Sequence, residues 1–105
     1  MINPSYPLIT QSIDATVTGT VITATIGKKI CVTAVKLISS ANVSVNWRDG
    51  ESTDLEGGMP LIANSGYVEV TQAPDYLFKT TTGNSLDIVI SGEGRITGRI
   101  TYWLK

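Results

Sequence analysis

A cluster of four carboxylates, one thiol and two indoles are the groups in this chain that could do chemistry. Asp49, Glu51, Asp54 and Glu56 fall within eight residues, and a hard cation such as calcium gathers roughly six to eight oxygens from loops of this kind. Their spacing does not follow an EF-hand, so the stretch reads as a solvated connection and no metal is assigned. Cys31 is the single cysteine. It excludes an internal disulfide and a thiolate cage, and inside the run Lys29-Ile30-Cys31-Val32 it reads as a small buried hydrophobe. No histidine is present, which removes the commonest general base and the commonest metal ligand. Serine and threonine hydroxyls abound without a base to activate them. Gly57-Gly58 and Gly92-Glu93-Gly94 open no helix, so they are turns and not phosphate cradles. The chain is expected to be no enzyme, with no catalytic residue and no cofactor.

The aromatic residues point elsewhere. Trp47 shares its parity with Val43 and Val45 and belongs to the core. Trp103 instead shares a face with Arg95, Thr97, Arg99 and Thr101, where an indole would stand exposed unless a partner covers it. Tryptophan and arginine concentrate binding energy at interfaces. Arg99 with Trp103 is therefore the expected contact patch. Tyr76 and Phe78 are expected to plug one end of the domain. A competing reading makes Trp103, Tyr76 and the acidic loop a platform for a carbohydrate.

These residues must be carried by strands. Threonine, valine and isoleucine dominate, and turn residues recur roughly every 8–12 positions, the rhythm of an all-β sandwich or barrel. Val43, Val45 and Trp47 alternate with Ser44, Asn46 and Arg48. Ile96, Gly98, Ile100, Tyr102 and Leu104 alternate in the same way with polar neighbours, which places each set on one side of a sheet. The predicted strands are 9–17, 20–26, 29–39, 42–48, 59–63, 67–72, 85–91 and 95–104. Eight antiparallel strands in two sheets make a jelly roll the expected architecture, ahead of an immunoglobulin-like sandwich, which would want a cysteine pair. Within 29–39 the apolar parity changes between Ile30/Val32 and Val35/Leu37. Either a bulge near Thr33-Ala34 resets the face or both sides are covered, and coverage on both sides is the favoured expectation.

The 105 residues amount to one domain over 9–105, preceded by an extended arm over 1–8 in which Pro4 and Pro7 forbid a central strand. Ile2, Tyr6 and Leu8 on that arm are expected to dock on a neighbouring chain. Charged residues make up 16% and the net charge is −1, which argues against nucleic acid as a partner. No apolar run approaches the ~18 residues that cross a bilayer, and the start of the chain shows no signal-peptide pattern, so no membrane partner is expected.

The order of features has a likeness. Gly27-Lys28-Lys29-Ile30-Cys31-Val32 leads to Asn42-Val43-Ser44-Val45-Asn46-Trp47, then to the segment Thr53 to Leu61 and to Asn64-Ser65-Gly66. Tyr76-Leu77-Phe78-Lys79-Thr80, Gly83-Asn84-Ser85-Leu86-Asp87-Ile88 and Gly98-Arg99-Ile100-Thr101-Tyr102 follow. Over residues 15–105 this resembles the small β-sandwich structural and decoration proteins of tailed bacteriophages. The resemblance implies a virion protein made in the host cytoplasm, either a capsid decoration (cement) or head-fibre protein. Its implied partners are its own copies, as a trimer, and the major capsid protein or another virion protein. It brings no catalytic residues. The runner-up is a carbohydrate-binding module or a tail-associated domain that binds host glycans.

Overall fold

The computed structural model describes residues 7–50, 53–55 and 58–105. Where alternation is cleanest in the sequence, the strands fall as expected: β1 (Ile9–Ala15), β2 (Gly19–Ile22), β3 (Ile30–Ser39), β4 (Val43–Asp49), β5 (Thr53–Asp54), β6 (Met59–Leu61), β7 (Gly66–Val70), β8 (Phe78–Lys79), β9 (Leu86–Ser91) and β10 (Ile96–Leu104). All eight expected strands are present, joined by the two-residue strands β5 and β8. Sheet I runs β1-β10-β3-β7, with β8 continuing the β7 edge along β3; sheet II runs β2-β9-β4-β5, with β6 sharing the β5 edge of β4.

Every pairing is antiparallel, and the partners nest: β4 with β6, β3 with β7, β2 with β9, β1 with β10. That is one long two-stranded ribbon folded back after β4. Rolling it brings β10 beside β3 and β9 beside β4, and the two resulting sheets are those of a jelly roll.

The boundaries have local causes. β2 stops at Ile22 because its partner begins there, with Ile22 opposite Leu86. The segment predicted to continue as strand instead turns, Lys28 N–H donating to the Thr25 carbonyl, and leaves Ile26 fully in solvent. In β3 both alternatives hold, each over part of the strand. Thr101 lies opposite Ala34 while Tyr102 lies opposite Val32, so Thr33 is the extra residue of a bulge. Before it, Ile30 to Thr33 are all buried; after it, Val35 and Leu37 face inward while Lys36 and Ile38 are exposed. Coverage on both sides therefore stops at the bulge.

The core lies between the sheets. Trp47, wholly buried on β4, donates its indole N–H to Tyr67 Oη at 3.0 Å and stacks on Phe78 with ring centroids 5.7 Å apart. Tyr67 and Phe78 belong to sheet I, so one indole ties the two sheets together. Phe78 closes the core as expected, but Tyr76 stays exposed with Lys79 Nζ 5.0 Å from its ring centre. Gly98 belongs to the inward row of β10, and a Cβ there would overlap the Lys36 carbonyl oxygen of β3. Only glycine lets β10 and β3 approach this closely.

Candidate functional site

Sheet I turns one face outward. Its middle row, read across the four strands, is Ser12, Arg99, Lys36 and Val68. The row on one side is Thr10, Thr101, Ala34 and Val70, and the row on the other is Asp14, Thr97, Ile38 and Gly66, each set by the same registers. A period of two sends all of these side chains to the same side.

Two features of that face are unusual. Val68 and Val70 are 68% and 72% exposed, with Ile38 also exposed beside them. Isolated apolar residues on a surface are ordinary, but these sit together along the open edge of a sheet. The second feature is electrostatic. Arg99 and Lys36 are direct cross-strand neighbours, both exposed, and like charges placed so are destabilising. No ion pair among the described residues joins either of them to an acid. The acid on β7, Glu69, lies opposite Val35 and so has the other parity, although it borders the same trough.

Short side chains between longer ones leave relief on this surface. A trough of about 150 Å³ runs over Ala34, walled by Val68, Glu69 and Val70 of β7 on one side and Arg99 and Thr101 of β10 on the other. At one corner of the face Arg95 grips Asp14 with two hydrogen bonds, Nε to Oδ1 at 2.7 Å and an Nη to Oδ2 at 2.6 Å. The guanidinium holds the Asp14 carboxyl below its ordinary range, chiefly through that hydrogen bond.

Of the residues expected to form a contact patch, Arg99 is where the sequence put it. Trp103 keeps the outward parity but corrects the expectation of an exposed indole: it is only 5% exposed, opposite the fully buried Cys31. The outer surface is covered at that end of the sheet, just where Ile30 to Thr33 are buried on both sides. Leu8 is 56% exposed; Ile2 and Tyr6 lie outside the described residues. A buried indole also offers no open ring to a sugar, and Tyr76 already carries Lys79 over its ring. Lys36, Ala34, Val68 and Val70 were not singled out from the sequence. The alternation of Lys36 and Ile38 with Val35 and Leu37 was the available signal.

The acidic loop resolves into separate tasks where it is described. Asp49 continues the inward row of Val43, Val45 and Trp47 and is buried. Burial alone would raise its pKa. The Thr81 hydroxyl at 2.6 Å, the Thr81 N–H at 3.0 Å and the Asn84 amide at 3.1 Å outweigh it and hold the carboxyl below its ordinary value. Asp54 accepts from Arg48 Nε at 3.2 Å. Both side chains are thus occupied by protein donors; Glu51 and Glu56 lie outside the described residues. Among the described residues no group of three or more histidine, cysteine or acidic side chains could hold a metal. The Cys31 thiol is pushed up by burial, an effect that Lys105, Lys79 and Lys29 partly offset, as befits an inert core cysteine.

In comparisons with known proteins the chain matches no protein-family model, no curated protein and no solved structure.

Proposed function

We propose that this chain is a non-enzymatic structural protein of a tailed-phage particle, a capsid decoration or head-fibre protein that packs as a homo-oligomer, a trimer, against the major capsid protein or another virion protein. The family likeness of its strands and turns suggests the particle. The observation that carries the mode of action is the outward face of sheet I, where exposed valines border two adjacent cations with no ion pair among the described residues. A sandwich of mutually paired strands supports such a face rigidly, so little ordering has to be done on contact. Many weak contacts repeated around a symmetric shell then hold through effective concentration.

The test is copy number in purified particles together with light scattering of the isolated chain. Hundreds of copies per particle support a shell protein, and a handful would move it to the tail. A chain that stays monomeric at every accessible concentration and is absent from particles overturns the proposal.

A further inference from the structure

The face just described has a geometry that specifies more than stickiness. Ala34 and Lys36 are two residues apart on β3 with the same parity, so the trough and the cation pair follow one another along the strand direction. An extended segment lying over β3 repeats its own side chains at the same interval, about 3.3 Å per residue and two residues per face. Its first inward side chain would meet Ala34 between Val68, Val70 and Thr101, a mostly apolar site with room for an aliphatic group. Its next inward side chain would meet Lys36 and Arg99, whose charges repel each other and together favour a carboxylate.

We propose that the outer face of sheet I recognises an extended segment of a partner protein in which an aliphatic residue and an acidic residue stand two positions apart. This rests on the reading of that face as an assembly surface and names the chemistry of what it meets. Charge decides the occupant. In a chain of net charge −1, the outward rows described here hold Arg95 paired with Asp14 and then Lys36 beside Arg99 with no ion pair among the described residues, Glu69 bordering the trough from the other parity, so an acidic complement is favoured. A strand with only aliphatic residues would leave both cations covered and unpaired, which is costly.

The experiment titrates the isotopically labelled full chain with a short capped peptide that carries Leu and Glu two residues apart on a serine and threonine background, followed by amide NMR shifts. Shifts confined to Ala34, Lys36, Val68, Val70, Arg99 and their neighbours are expected. The affinity should weaken roughly tenfold when Glu becomes Gln in the peptide or in the Lys36→Gln protein, as loss of a charge-assisted contact requires. Val70→Thr, which keeps the β-branched shape, should weaken the Leu contact with the fold intact.

Equal binding of a peptide with Leu and Glu adjacent, hence on opposite faces, overturns the proposal. So do shifts mapping elsewhere. The same shifts with inorganic phosphate alone would mean a bare anion site and also overturn it. Concentration-dependent shifts at these residues without peptide, and no displacement by peptide, would assign the face to a second copy instead. None of these failures touches copy number in particles, so the broader function stands or falls separately.

Discussion

The two outer faces of the sandwich solve the same electrostatic problem in opposite ways. On sheet II the middle row across the strands is Thr20, Asp87, Arg48 and Asp54. Charges alternate there: Arg48 stands between two carboxylates, bonded to Asp54, while Asp87 takes a further hydrogen bond from Ser85 Oγ at 2.9 Å. On sheet I the corresponding row is Ser12, Arg99, Lys36 and Val68, two cations side by side and then a bare valine. One face is closed within its own chain. The other is left open, and a folded chain keeps such a row only at a cost in stability. On the assembly reading proposed above, the open row of sheet I is the one left for a partner.

Four experiments bear on this contrast. The largest effect is on what both faces share. Trp47→Ala removes the stack on Phe78 and the bond to Tyr67, and should cost about 3–5 kcal/mol in urea unfolding. An unchanged midpoint would mean the sheets do not depend on that indole. Next is Asp49→Asn, which spoils the contacts anchoring Thr81 and Asn84 at the end of the core and should cost about 1–3 kcal/mol. Because the folded carboxyl has a lowered pKa, its contribution is complete above the ordinary carboxylate range and disappears as pH falls through the folded value. The acid limb of the stability profile should therefore flatten in the variant.

The remaining two set the faces against each other. Arg48→Met breaks the alternation on sheet II and should destabilise by about 1 kcal/mol, discounted because the pair is part-exposed. Lys36→Glu makes sheet I resemble sheet II and should stabilise by a few tenths of a kcal/mol while abolishing docking. Thermal melts of the two variants should move in opposite directions. Movement in the same direction would erase the distinction drawn between the rows.

Much of the fold was legible because alternation is a local property. Val43 to Trp47 and Ile96 to Leu104 declared their buried rows directly. The parity change within β3 was visible too, although only the opposed register of Thr101 and Tyr102 shows that Thr33 is what resets it. β5 and β8 were not visible, since two residues hold no pattern and each is a strand only by lying against β4 or β3. The candidate site was half legible for the same reason. Arg99 stood out on its own strand, whereas its neighbours Lys36 and Val68 are more than thirty residues away in sequence. Parity also sets the side on which Trp103 lies without saying whether that side is covered.

The nesting of partners has a consequence for how the molecule comes into being. β10 is the last of the described strands in chain order, yet it occupies an interior column, hydrogen-bonded to β1 on one side and β3 on the other. Until it is synthesised, β1 and β3 have no bridge and sheet I is two separated edges. Nonlocal closure of this kind folds slowly and leaves sticky strands waiting. Each copy emerging during synthesis therefore exposes the β1 and β3 edges until β10 slots between them.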